Sequence, residues 1–342
     1  MKNKTIIPND SCTAILIVLL LLAGCALPVS AATITDDAGT TVTLNKTPER
    51  IVSLSPSNTE ILAALGLIDR IVGVTDVCDH PPEVKDIPRI GGYSAISIEK
   101  VAAARPDIVI ASDKTSRETI RRFEELGLPV IVVAPKNVDH VIRDIRLVGK
   151  ITGTENQAEE LVTTLTRRID AATSAPDLTR PTVAHVVYYK PLYISGNTTM
   201  QDDIITRAGG VNVFWGRSGW STVSLEEFLL ANPDIIIVSG GGGMDASERD
   251  VIREEFMTNP QYASLSAVRN NHVYAINADI ISRPGPRVAD AAEQVSGIIT
   301  AVRADCAAQP SAATGSTTPR TPGFSAAVVV LALFGLCAVM RR

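Results

Sequence analysis

Apolar residues along this chain fall into two textures. Short β-branched runs recur at Ile51-Val-Ser-Leu54, Ile71-Val-Gly-Val74, Val130-Ile-Val-Val133, Val183-Ala-His-Val-Val187 and Val273-Tyr-Ala-Ile276. They read as strand candidates. Between them, apolar positions return every third or fourth residue, the spacing that puts them on one face of a helix. Alternation of the two predicts an α/β architecture. A hairpin is predicted over residues 33 to 44, turning at Asp37-Ala-Gly39. The longest helical pattern runs from 138 to 172 through Val141, Ile145, Val148, Ile151, Leu161, Leu165 and Ile169. It predicts one helix of about 35 residues, roughly 50 Å long, with a weak point at Gly149 to Gly153.

The pattern also repeats. Residues 97–112, SIEKVAAARPDIVIAS, and residues 224–239, SLEEFLLANPDIIIVS, align without a gap at an offset of 127 and are identical at eight of sixteen positions. In each copy a serine, Ser97 or Ser224, caps a helix. Pro-Asp then ends that helix and an isoleucine-rich strand follows. The repeat therefore predicts two related α/β lobes, with a ligand cleft at the strand carboxyl ends between them.

At the same offset Tyr93 pairs with Trp220, each in a Gly/Ser-rich stretch six residues before a glutamate. These two aromatics are expected to face the cleft. The glutamates, Glu99 and Glu226, occupy first-turn positions, where the helix dipole favours a negative charge. That role explains either one alone. The symmetric pair also suits docking onto basic pockets of a two-fold symmetric partner.

Composition narrows the function. With 342 residues, a net charge of -5 and no dense Lys/Arg run, the chain has room for two domains and lacks the basic face that nucleic acid requires. Gly240-Gly-Gly-Gly243 lacks the Lys-Ser/Thr ending of a phosphate loop and reads as a plain loop. No catalytic constellation is recognisable, and His140, His185 and His272 show no metal-site spacing and read as structural. The chain is expected to be no enzyme and to carry no cofactor or metal of its own. Cys78 and Cys306 lie in the folded body, but their spacing does not establish a disulfide.

Both ends carry sorting features. Lys2 and Lys4 precede an apolar stretch from Ala14 to Ala23, so residues 1–32 read as a signal peptide. Two ends are open for it: lipidation at Cys25, as in a lipobox, or cleavage after Val29-Ser-Ala31. Residues 307–321 are almost entirely small and polar and read as a disordered tether. Pro322-Gly-Phe324 then opens an apolar run of 17 residues, Phe324 to Met340, closed by Arg341 and Arg342. That tail resembles the PGF-CTERM sorting signal of archaeal surface proteins, with a simple transmembrane anchor as the other reading. Either places the body outside the cytoplasmic membrane.

Several motifs together carry a family resemblance. Arg50-Ile-Val-Ser-Leu-Ser-Pro-Ser-Asn-Thr-Glu60, Cys78-Asp-His-Pro-Pro-Glu83, Gly91-Gly-Tyr93, both repeat copies and Arg283-Pro-Gly-Pro-Arg287 resemble the iron/cobalamin class (class III) of periplasmic solute-binding proteins. The resemblance runs from about residue 48 to 303 and is closest to cobalamin-binding members. It implies two Rossmann-like lobes, 33–136 and 176–306, joined by a single long α-helix over 137–175. It further implies a monomer that delivers a small-molecule ligand to an ABC permease with a cytoplasmic ATPase. By resemblance Tyr93 and Trp220 flank a corrinoid, Asp279 and Arg283 reach its polar edge, and Glu99 and Glu226 meet permease arginines. His80 stands where the family often has tyrosine, and could hydrogen-bond the ligand, ligate its metal or pack. A ferric siderophore or haem is the alternative ligand.

Overall fold

The structure is a computed structural model and describes residues 32–173, 179–241 and 250–308. Residues 1–31, with Cys25, and 309–342, with most of the tether and the whole tail, lie outside the described residues, as do Gly242 and Gly243.

Each lobe is organised on its own sheet. A hairpin of β1 (Ala32–Thr35) and β2 (Thr41–Leu44) leads into β3 (Ile51–Ser53), β4 (Ile71–Val74), β5 (Ile108–Ala111) and β6 (Val130–Val132). The last four form a parallel sheet in the order β4-β3-β5-β6. In the second lobe β7 (Thr182–Tyr189), β8 (Leu192–Ser195), β9 (Val211–Asn212), β10 (Trp220–Val223), β11 (Ile235–Gly240) and β12 (Val273–Asn277) form a mixed sheet. Its order is β10-β8-β7-β11-β12, with β9 parallel to the first residues of β7. All four residues of β5 and the first four of β11 are buried, as the continuous apolar runs require for strands covered on both faces.

The two repeat copies form matching units. Ser97 and Ser224 each accept from a backbone N–H three residues on, Lys100 at 3.2 Å and Glu227 at 3.1 Å. The helices they open, Ile98–Ala103 and Leu225–Ala231, end at Arg105 and Asn232, which are equivalent in the repeat and have φ of +45° and +38°. Proline at the next position disfavours the right-handed helical conformation for the residue before it. Both copies answer that constraint in the same way.

The connector departs from the expected single helix. It is two helices, α1 (Val138–Thr152) and α2 (Glu155–Ala172), separated by Gly153 in the left-handed region with φ +67°. A Cβ added at Gly149 would lie 2.5 Å from Ala158 Cβ, whereas nine residues of continuous helix would hold these positions about 13 Å apart. The chain thus folds back at the weak point, and Arg146 donates to both Glu159 carboxylate oxygens at 2.7 and 3.1 Å. The pair is a packed block rather than a rod. Its apolar faces belong to one continuous cluster with Ile61 and Leu62 of the first lobe and Val183 and Ile205 of the second. α2 is further tied by Arg168 to Asp290 and Glu293 on the terminal helix Val288–Ala308.

A buried carboxylate sits in this block. The Asp144 side chain is fully buried on α1, its Oδ1 accepting from Arg143 Nε at 2.8 Å and its Oδ2 without a hydrogen-bond partner. Burial and the nearby Asp37 charge push its pKa from 3.8 up to about 7, against the pull of Arg143. Folding therefore favours the protonated form, so stability is greatest below the unfolded value and is lost as pH rises from about 4 to about 7. Asp144→Asn removes the titration and keeps an acceptor for Arg143. We expect this variant to be more stable than the parent at pH 8, by on the order of 1–3 kcal/mol in denaturant melts, with the gap closing towards pH 4.

Cys78 and Cys306 are free thiols, the first buried and the second exposed. Cys78 Sγ lies 3.1 Å from Thr75 Oγ1 and accepts from Thr59 Oγ1 at 3.3 Å.

Candidate ligand-binding site

On the first lobe the site is assembled from loops that follow strands. Gly91 has φ +117°, and a Cβ there would lie 2.5 Å from Ala95 O, so only glycine fits. Its carbonyl accepts from Asp76 N at 2.9 Å, which fastens the loop carrying Tyr93 to the loop carrying Asp79 and His80. Tyr93 is half-buried in a bend, as the sequence suggested. Burial raises its phenol pKa, with the Ser112 hydroxyl beside it pulling the other way. His80 is exposed, next to Asp79.

On the second lobe Trp220 differs from its repeat partner. It opens strand β10 at the sheet edge, opposite Ser195 of β8, rather than lying in a loop. A ladder holds it there: Gly196 N donates to Gly219 O at 2.8 Å, Gly219 N to Asn197 O at 2.8 Å, and Asn197 N to Arg217 O at 2.7 Å. The indole is 38% exposed. It stacks on Tyr193 with ring centroids 6.0 Å apart and planes 20° apart, and meets His185 edge-on at 6.0 Å. His185 is fully buried, its Nε2 3.2 Å from Ser239 Oγ and its Nδ1 without a partner. Burial pushes its pKa down to about 3, so it is neutral at physiological pH. The expected structural role for His185 thus gains a specific content: it is the uncharged floor beneath the tryptophan.

Asp279 and Arg283 do come together, but not with free hands. Arg283 Nη2 lies 2.8 Å from Asp279 Oδ1, and Arg283 Nη1 donates to Asp79 Oδ1 at 2.6 Å and to Glu60 Oε1 at 3.2 Å. Asp79 and Glu60 belong to the first lobe, so Arg283 bridges the lobes. Burial alone would raise the Asp79 pKa, yet the hydrogen bond and charge of Arg283 outweigh it and hold the carboxyl below its ordinary range. Ser239 of β11 pairs with Ile276 of β12 just before Asp279. Trp220, Tyr193, His185 and Ser239 thus form one group on the second lobe's sheet, and Asp279, Arg283 and Asp79 form a row where the lobes meet.

Glu99 and Glu226 are both exposed in first turns. The Glu226 carboxyl is held below its ordinary range by its own backbone N–H and the Ser224 hydroxyl, which is what a first-turn stabilising role would look like. Sequence reasoning did not single out Glu60, Asp79, Tyr193 or the contact of His185 with Trp220. The signal available for Glu60 was its place at the end of Arg50-Ile-Val-Ser-Leu-Ser-Pro-Ser-Asn-Thr-Glu60, one of the motifs that carry the family resemblance. Among the described residues no cluster of three His, Cys, Asp or Glu side chains could hold a metal ion.

Two α/β lobes thus meet at a row of charged side chains drawn from both, and the second lobe carries an aromatic cluster at its sheet edge. The model of the periplasmic binding protein family matches residues 51–280, and the chain belongs to that family. It is similar to an uncharacterized ABC transporter substrate-binding lipoprotein of Bacillus subtilis (strain 168), with 28% identity over 83% of this chain and 94% of the relative. A vitamin B12-binding protein of Vibrio cholerae is 29% identical over 72% of this chain and 87% of its own length. Among solved structures, a periplasmic haem-binding protein from Roseiflexus sp. RS-1 superposes with a TM-score of 0.66 at 26% identity, covering 75% of this chain and 99% of that one. The chain is therefore a substrate-binding component of an ABC transporter.

Proposed function

We propose that the ligand is cobalamin or a related corrinoid, taken up outside the cytoplasmic membrane and handed to a permease driven by a cytoplasmic ATPase. The observation that carries this reading is the wall formed by Trp220 and Tyr193 over neutral His185. A corrin is a broad ring rimmed by neutral amides. It gains from flat aromatic contact and from a rim of hydrogen-bonding groups that needs no net charge. In this reading Trp220 and Tyr93 contact the ring from opposite lobes, Asp279 and Arg283 meet the rim, and His80 contacts the ligand at the cleft mouth. Likeness to a vitamin B12-binding protein supports it. Glu99 and Glu226 dock the two lobes onto permease arginines, and Cys25 or the C-terminal segment anchors a monomeric body to the membrane.

Isothermal titration of the purified protein with cyanocobalamin, dicyanocobinamide, haemin and a panel of ferric siderophores tests the ligand. Submicromolar binding of the two corrinoids alone is the expected result. Binding of haemin or an iron chelate with no response to corrinoids would discard the corrinoid assignment and leave the transporter role intact.

A further inference from the structure

Five charged side chains form one connected group at the boundary between the lobes: Glu60, Asp79, Asp279, Arg283 and Arg287. Arg283 links three of them, and the most deeply buried member is Glu60, on the helix Pro56–Ala64 of the first lobe. The Glu60 side chain is 3% exposed. It accepts three hydrogen bonds, all from the second lobe: Arg287 Nε at 2.9 Å, Arg287 Nη2 at 2.6 Å and Arg283 Nη1 at 3.2 Å. A carboxylate buried this deeply is tolerable only while the guanidiniums stay against it, since an unpaired buried charge is strongly disfavoured. Parting the lobes at this edge would strip both arginines from Glu60.

The segment between the arginines reinforces the coupling. Pro284 and Pro286 restrict its backbone, and Gly285 packs against the first lobe, where a Cβ would sit in ordinary van der Waals contact with Ser57 O at 3.5 Å and Glu60 Oε2 at 3.6 Å. Seating Arg287 on Glu60 therefore also brings Arg283 to its place between Asp79 and Asp279.

We propose that Glu60 is a positioning residue for ligand binding: through Arg287 it sets how far the lobes stand apart, and through Arg283 it holds the Asp79–Arg283–Asp279 row against the ligand rim. Arg283 already carries carboxylates on both sides, and the Asp79 side chain is 56% exposed. The row thus offers both donors and acceptors to neutral amides rather than a bare cation to a carboxylate. This last step rests on the corrinoid reading above; the lobe spacing does not.

The test has two arms. In the first, spin labels on a genetically encoded keto amino acid replace the exposed Glu124 and Gln261, one per lobe, so that no cysteine is touched. Distance distributions are then measured without ligand. Glu60→Gln and, independently, Arg287→Gln should broaden the distribution at temperatures well below their melting points. An unchanged distribution in both variants, even with a lower melting temperature, overturns the proposal whatever the ligand is. In the second arm, dicyanocobinamide affinity should fall about ten-fold in either variant, as expected when the binding-competent fraction drops to about a tenth. Broadened distances with unchanged corrinoid affinity would overturn Glu60 as a positioning residue. A parent protein that binds no corrinoid would instead remove the ligand assignment, and the distance measurement would still decide Glu60.

Discussion

Trp220→Ala should weaken corrinoid binding by about 30-fold or more with little loss of thermal stability, since truncating an aromatic anchor in a binding site costs about 2 kcal/mol or more. The indole is more than a third exposed, packed on one side by Tyr193 and His185, so its removal leaves no large cavity in the core. What is lost is flat apolar contact that only a bound ring would complete. Trp220→Phe should recover most of the affinity. Trp215, the only other tryptophan and 64% exposed, provides the control: Trp215→Ala should leave the titration unchanged. Equal affinity in the parent and Trp220→Ala would mean that the ligand does not rest on this wall.

Gly196→Ala should act on the same site from within the sheet. A Cβ at this position would lie 2.1 Å from Arg217 O and 2.7 Å from Arg217 C. These are backbone atoms held by the Asn197 N to Arg217 O bond at 2.7 Å, so no side-chain rotation relieves the contact. Residues 217 to 220 have to move, which disturbs the pairing of Trp220 with Ser195. The cost should be about 2–3 kcal/mol, as for other overpacked interiors, or a drop of several degrees at about 2–4 °C per kcal/mol. Corrinoid affinity should fall with it. Gly216, where an added Cβ meets nothing within 4 Å, is the matched control, and Gly216→Ala should be near neutral in both assays. An unaltered melting temperature in Gly196→Ala would show that the β8–β10 edge yields more easily than the contact implies.

Much of this was readable along the chain because it depends on local pattern. Uniform β-branched runs such as Val130-Ile-Val-Val133 became strands at the expected places, and the serine caps at 97 and 224 formed as the repeat required. The hairpin also formed, with Gly39 in its turn at φ +78°. Periodicity failed at the connector, because an apolar stripe continues across a break when both helices bury the same face. Gly153 and the close approach of Gly149 to Ala158 decided the matter. The repeat placed Tyr93 and Trp220 at equivalent positions but could not tell that one would lie in a loop and the other in an edge strand. Strand pairing across β8 and β10 is a property of two segments, not one.

The sequence by itself determined the two α/β lobes and their equivalent helix–strand units, since period, capping and proline act over a few neighbouring positions. Only the tertiary structure decided which charges meet. Glu60 and Arg287 are 227 residues apart, and the pairing of Arg283 with Asp79 and Glu60, like the neutrality of His185 beneath Trp220, depends on burial and on distances between lobes. Those quantities come into being only when the chain closes on itself, and no local pattern encodes them.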